Sequence, residues 1–209
     1  MSAARVQVSL RYRLPAAVTS RRRIFTAVSA LLSVVSLAAC GHKTAHPTVA
    51  DANNDGVYVD AGPVTYQLQI SRALNQYDAE DSQYVRGLPA GMTPALPPTE
   101  MWFGVFLWAR NQTNRPQTTT DNFEVVDSSG TVYRPVKLDP ALNPFAWTSQ
   151  TLPPQQIEPS PSSVAAYGPT QGGLLLFKVS TDVYANRPLT LYILSPTTNR
   201  RLASISLNL

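Results

Sequence analysis

The chain contains very little cysteine and histidine. Its 209 residues include one cysteine, Cys40, and two histidines, His42 and His46, which follow it closely. The region from residue 47 onward therefore has neither a thiol nor an imidazole. This absence excludes from that region a disulfide framework, a Cys/His zinc site, a cysteine nucleophile and a serine triad with a histidine base.

Acidic residues are missing from the first 40 positions. All thirteen Asp and Glu residues lie after Cys40, whereas six of the seventeen Lys and Arg residues precede it. The eleven basic residues after Cys40 leave that part of the chain with a net charge of −2. The overall charge of +4 is therefore the sum of +6 before Cys40 and −2 after it. We expect no nucleic-acid partner, because no basic footprint remains after Cys40.

Residues 1–39 are typical of a secretory signal peptide. Six arginines, among them Arg21 and Arg22, precede an uncharged run over residues 24–39 that ends in small side chains. The run is shorter than the roughly 20 residues that span a bilayer as a helix, so a permanent transmembrane helix is the less favoured alternative. Arg21 and Arg22 also fit a twin-arginine export signal, which leaves two export routes open.

The end of this run, Leu37-Ala38-Ala39-Cys40-Gly41, resembles a bacterial lipobox. The resemblance implies that the Cys40 thiol carries a diacylglycerol, that the mature chain begins at Cys40, and that a lipid anchor holds it on the extracytoplasmic face of the cell membrane. An ordinary signal peptide with an incidental cysteine is the alternative. Two acyl chains, at about 0.8 kcal/mol per buried CH₂, suffice for stable anchoring.

Residues 40–63 are predicted to form a flexible tether. They contain few large apolar side chains and many Ala, Asp, Asn, Thr and Gly residues, which do not offset the entropy of ordering. Residues 51–56 match the first half of a calcium loop, but Gly62 stands where a bidentate glutamate is needed. We therefore expect no metal and no cofactor.

Residues 64–209 are predicted to form the folded domain. Tyr66, Leu68 and Ile70 alternate with glutamines, and residues 102–109 are apolar on both faces, as in a central strand. About seven short strands, no helical period and 17 prolines after Cys40 predict an all-β, antiparallel β-sandwich. The remaining strands are expected at 124–126, 131–133, 174–179, 189–194 and 203–209.

Three segments of this domain resemble a known family. In this order, Trp102–Asn111, Phe123–Gly130 and Leu174–Val179 resemble uncharacterised immunoglobulin-like domains in lipoproteins and secreted proteins of actinobacteria and other bacteria, some of them similar to a mycobacterial secreted antigen. The resemblance implies an immunoglobulin-like sandwich in an extracytoplasmic location. It brings no established activity.

One candidate binding group lies on the strand at 102–109. Alternation places Trp102, Phe106 and Trp108 on one face and Phe103, with every second residue after it, on the other. The aromatic face is either a stacking platform for sugar or peptide or is covered by the chain's own proline-rich connections. We favour covering, because large exposed apolar patches are rare on monomers.

A second candidate binding group lies in the long connection 135–173. It consists of Phe145, Trp147 and Tyr167. Loops carry function more often than the elements that they connect. We therefore expect these three aromatic residues to contribute to an exposed recognition surface.

Carboxylates are the remaining catalytic groups. Asp78, Glu80 and Asp81 cluster in one connection, but a glycosidase needs two carboxyl groups roughly 5–9 Å apart across a cleft, which sequence spacing does not establish. We therefore expect a non-enzymatic binding or interaction module of the cell envelope whose partner is an envelope protein or glycan. A carboxylate-dependent hydrolase of envelope polysaccharide and a passive structural component are the alternatives.

Overall fold

The computed structural model describes residues 45–52, 56–207 and 209. The signal segment, Arg21, Arg22 and the proposed lipidation site Cys40 lie outside these residues. The described residues belong to one compact unit, Ala45–Leu209. Among them, no helix is long and apolar enough to cross a bilayer.

The described residues are organised mainly as short β-strands. A single four-residue helix, α1 (Val164–Tyr167), and two 3₁₀ turns, Asp81–Gln83 and Thr181–Tyr184, are the helical elements within these ranges. The strands are β1 (Val49–Asp51), β2 (Tyr58–Ala61), β3 (Val64–Leu74), β4 (Glu100–Asn111), β5 (Gln117–Thr118), β6 (Phe123–Val126), β7 (Val132–Tyr133), β8 (Thr151–Leu152), β9 (Ile157–Glu158), β10 (Gly173–Ser180), β11 (Leu189–Leu194) and β12 (Arg201–Leu207).

Two sheets pack face to face. One has the order β1-β12-β11-β6-β7 and the other the order β10-β4-β3-β2, with β9 also paired to β4 and with β5 and β8 forming a small separate ribbon. The neighbours β3-β4-β10 and β6-β11-β12 reproduce the A-B-E and C-F-G strand orders of an immunoglobulin-type sandwich. The predicted all-β sandwich is confirmed, although β1 runs parallel to β12 and so departs from an all-antiparallel arrangement.

The core between the sheets is built by alternate residues of β4 and β11. Phe103, Val105 and Leu107 point inward from β4 and join Leu191 and Ile193 of β11 in one buried cluster. This confirms the face of the central strand that alternation predicts. Because both faces of β4 are apolar, its other face needs a second cover.

That second cover comes from the two long connections. Trp102 and Phe106 lie on the outward face of β4 and are fully buried, and the Trp102 indole Nε1 donates a hydrogen bond of 2.7 Å to the Pro94 carbonyl. The predicted covering of this face is thereby confirmed for both residues. The covering cluster includes Leu74, Tyr84, Val85, Leu138, Phe145 and Ala165.

The predicted tether is wrong for residues 45–52 and 56–63. Here β1 pairs with β12 and β2 pairs with β3, while Val59 and Ala61 are buried in the inter-sheet core. Backbone pairing and this burial compensate the ordering entropy, a contribution that composition does not reveal. The folded unit begins at Ala45 rather than at residue 64, and residues 40–44 and 53–55 lie outside the described residues.

Substitution of Val59 tests this boundary. Val59→Ala removes two methyl groups from the core, and we expect the free energy of unfolding to fall by at least about 1.5 kcal/mol. The matched change Val49→Ala, at a side chain that is 68% exposed, is expected to leave it nearly unchanged. Urea denaturation measures both, and equally small effects would support a flexible tether instead.

A β-bulge in β3 changes which face Ile70 occupies. Leu68 pairs with Leu107, whereas Ile70 pairs with Phe106, so Gln69 is an extra residue in the ladder. The alternation reverses there, and Ile70 is exposed while Tyr66 and Leu68 are buried. The prediction that Ile70 shares their buried face is therefore wrong.

Candidate functional site

A groove lies on the outward face of the sheet where β2, β3, β4 and β9 run side by side. Strand register places Tyr58, Gln67 and Trp108 in one row across this face. The next row contains Thr65 and Arg110, with Ile157 beside them. We call this the Trp108 groove; its volume of about 380 Å³ lies within the range of small-molecule sites.

Trp108 forms the aromatic part of the groove. It lies on the same face of β4 as Trp102 and Phe106, but it does not belong to the buried cluster beneath the long connections and is only half-buried. The favoured prediction of a covered aromatic face therefore holds only in part at Trp108. Within the described ranges its buried indole Nε1 has no hydrogen-bond partner.

One wall of the groove is held by a hydrogen-bond network. The His46 ring stacks on Tyr58, with 5.3 Å between ring centroids, and its Nδ1 lies 3.2 Å from Asp60 Oδ1. The Thr65 hydroxyl donates to the same oxygen at 2.5 Å, and Gln112 Nε2 donates to Thr65 Oγ1 at 2.7 Å. Asp60 thus holds His46 and Thr65 directly, and it holds Gln112 through Thr65.

Arg110 supplies the permanent charge of the groove. Its guanidinium is exposed and makes a long hydrogen bond of 3.4 Å to Gln155 Oε1. Among the ion pairs formed by the described residues, none involves Arg110. The guanidinium therefore presents a positive charge at the groove without a protein carboxylate against it.

The second aromatic group does not form a shared surface, so that prediction is wrong. Phe145 is 3% exposed and belongs to the cover of Trp102, because the apolar outer face of β4 has to be buried. Trp147 is half-buried against Tyr66, with 6.0 Å between ring centroids, and its Nε1 donates to the Thr120 carbonyl at 2.8 Å. Only Tyr167, which is 75% exposed, has the expected exposure.

The clustered acids of the first long connection have structural partners. Asp81 Oδ1 lies 2.6 Å from Arg72 Nη2 and its Oδ2 accepts from the Asn75 amide. Burial raises the pKa of Asp81, but these hydrogen bonds outweigh it, so the pKa is lowered overall. Asp78 accepts from the amide of Glu80 at 2.8 Å.

In the part of the chain that the structure describes, no group of three or more His, Cys, Asp or Glu side chains is placed to hold a metal ion.

Glu158 is, like Glu100 and Glu124, a carboxylate that the sequence shows only as scattered and outside the acid cluster. It pairs with Ala109 on the inward face, is buried, and its Oε2 has no hydrogen-bond partner among the described residues. Burial raises the pKa of Glu158 to about 7, more than hydrogen bonds with Thr119 and Gln150 lower it. An isolated glutamate before a proline carries no sequence signal of this burial, which depends on the pairing of β9 with β4.

The fold and its groove define an all-β sandwich with a partly buried tryptophan on one sheet face. No family model matches the chain, and no curated protein matches it. Among solved structures, that of the yjhA protein from Bacillus subtilis is similar over 74% of this chain and 98% of that chain, with 10% sequence identity and a TM-score of 0.45. A likeness this weak carries no argument about function.

Proposed function

We propose that the protein is a membrane-anchored, extracytoplasmic lipoprotein that acts as a non-catalytic binding module of the cell envelope. The anchoring part of the proposal is supported by Cys40, which directly follows an uncharged run and closes a lipobox-like segment. Three segments, Trp102–Asn111, Phe123–Gly130 and Leu174–Val179, resemble domains of bacterial lipoproteins and secreted proteins, which suggests the same extracytoplasmic location.

The binding part is supported by the Trp108 groove. A partly buried tryptophan on a rigid sheet face, with amide, hydroxyl and guanidinium groups around it, has the composition of a small-ligand site. Its floor consists of paired strands, so the side chains are held in place before a ligand arrives. This is the observation that favours a binding module over a passive structural component.

The hydrolase alternative has less support. It needs two carboxyl groups across a cleft. Three of the acids are engaged in ion pairs: Asp81 with Arg72, Glu100 with Lys178, and Glu124 with Arg134. Glu158 has a raised pKa, but it faces the interior between the sheets rather than the Trp108 groove.

Substitution of Cys40 tests the anchoring. In a bacterial host that processes lipoproteins, the wild-type chain is expected to incorporate an alkyne-labelled fatty acid and to sediment with membranes. Cys40→Ser removes the acceptor thiol, so we expect complete loss of the label and release of the folded unit into the extracytoplasmic fraction.

Ser33→Ala serves as the matched control, because it changes the same leader without touching the lipobox-like segment. It is expected to label and sediment like the wild type. An unlabelled wild-type chain, or equal labelling of Cys40→Ser, would refute the lipid anchor.

A further inference from the structure

We propose that the ligand of the Trp108 groove is a saccharide that carries a carboxylate. This inference rests on the proposed binding function and names the chemistry of its ligand. Three properties of the groove support it: a flat aromatic surface, side-chain amides and hydroxyls beside it, and one guanidinium that forms no ion pair with the described residues.

The aromatic surface suits a sugar ring. A pyranose has an apolar face of C–H groups, which packs against an aromatic ring, and an edge of hydroxyl groups. Trp108 offers such a surface because the cover of the sheet ends at Phe106, and Tyr58, which is 45% exposed, lies in the same cross-strand row. Tryptophan and tyrosine combine a large apolar body with a polar end, which suits a ligand of this mixed character.

The polar side chains suit the hydroxyl edge. A side-chain amide both donates and accepts hydrogen bonds, as a sugar hydroxyl does. Gln67 and Gln112 place two such amides at the groove, and the bond from Gln112 to Thr65 fixes its orientation. Fixed donors and acceptors lose little conformational entropy when a ligand binds.

Arg110 selects for a carboxylate on that saccharide. A guanidinium pairs with a carboxylate through two parallel hydrogen bonds that the opposite charges strengthen, and a neutral sugar lacks that charge. The Asp60 carboxylate, which contacts the groove residues His46 and Thr65, already accepts hydrogen bonds from both. Arg110 has no such partner among the described ion pairs, so the groove complements a negative charge.

A peptide fits this floor less well. Peptides in extended conformation bind sheets chiefly through main-chain hydrogen bonds at a free strand edge. At the groove β4 is paired with β3 on one side and with β9 on the other, and β3 is also paired with β2. Recognition on this floor therefore relies on side chains, which favours a ligand rich in hydroxyl groups.

The unpartnered indole of Trp108 agrees with a ligand-binding role. Burying an N–H group without an acceptor costs about 1–3 kcal/mol. A phenylalanine at this position would avoid that cost and still pack on the sheet. Packing alone thus does not account for tryptophan here.

Binding of defined oligosaccharides to the purified full chain in detergent tests the inference. Isothermal titration calorimetry would compare hyaluronan tetrasaccharide, which carries glucuronate carboxylates, with neutral chitotetraose and with tetraglutamate peptide. We expect the hyaluronan tetrasaccharide to bind at least tenfold more tightly than either of the other two. Trp108→Ala is expected to abolish this binding.

Arg110→Gln and Arg115→Gln form a matched pair of variants. Both remove one exposed positive charge, but the Arg115 side chain lies outside the groove. Arg110→Gln is expected to weaken binding of the hyaluronan tetrasaccharide at least tenfold, and Arg115→Gln to leave it unchanged. Because Arg110 is exposed, its replacement does not endanger folding, and a thermal melt of each variant verifies this.

The inference is overturned if the wild-type chain binds neither tetrasaccharide. It is also overturned if chitotetraose or tetraglutamate binds as tightly as the hyaluronan tetrasaccharide. Equal effects of the two arginine substitutions would overturn it as well, because they would indicate non-specific charge attraction. A negative result in these binding experiments would leave the proposed lipid anchor untouched, because the acyl labelling of Cys40 decides the anchor separately.

Discussion

Replacing Trp102 with alanine is expected to lower the free energy of unfolding by about 3–5 kcal/mol. The side chain is fully buried on the outward face of β4, beneath two connections that contain little regular structure. Its loss leaves a cavity that the surrounding cluster cannot fill without moving a paired strand. The effect approaches the whole stability of many single domains, so we expect only part of the variant to be recovered as folded protein.

Two further substitutions accompany Trp102→Ala: one separates the hydrogen bond of the indole from the packing of the ring, and the other is a control at an exposed side chain. Trp102→Phe keeps an aromatic ring but leaves the Pro94 carbonyl without its donor, and we expect a smaller loss of about 1–3 kcal/mol. Tyr77→Ala, in the same connection at a side chain that is 78% exposed, is expected to stay within about 0.5 kcal/mol of the wild type. Urea denaturation gives all three values. A loss below about 1 kcal/mol for Trp102→Ala would show that the connections do not form a core with β4.

Replacing Glu158 with glutamine is expected to stabilise the fold at pH 8 by up to about 3 kcal/mol and to change little at pH 4.5. The pKa of Glu158 is raised by burial to about 7 from an ordinary value of 4.5. Between pH 4.5 and about pH 7, Glu158 keeps its proton in the folded state and has lost it in the unfolded state. Rising pH therefore destabilises the wild-type fold. Glutamine keeps a neutral hydrogen-bonding group in place and removes this dependence.

The measurement is urea denaturation of the wild type and the variant from pH 4.5 to pH 8.5. The difference between the two curves isolates Glu158 from every other titrating group. Glu80→Gln is the control for a change from carboxyl to amide at a half-exposed side chain. A constant difference between wild type and Glu158→Gln across this range would contradict a raised pKa.

The central strand and the hairpin were predictable because their signals are local. Residues 102–109 are apolar at every position except Gly104, which indicates a strand with two covered faces. In the turn after β6, Asp127 accepts hydrogen bonds from the amides of Ser129 and Thr131, the local pattern that favours aspartate in turns. Such features need only neighbouring residues.

The groove was not predictable because it is assembled from distant pairings. Its wall comes from His46 and Tyr58, in a segment whose composition indicates a tether, and its other side comes from Ile157. Only the pairing of β2 with β3 and of β9 with β4 brings them to Trp108. The bulge at Gln69 is invisible for the same reason, since strand register is a property of two segments rather than one.

The parallel pairing of β1 with β12 has a mechanical consequence. The Thr48 carbonyl accepts from the Ser204 amide at 2.9 Å, and the Ala52 amide donates to the Ser206 carbonyl at 2.8 Å. Because the strands run in the same direction, a pull on residue 45 away from residue 207 loads these bonds in shear, so they must break together rather than one by one. We therefore expect the pairing of β1 with β12 to resist a force that pulls these two ends of the folded unit apart.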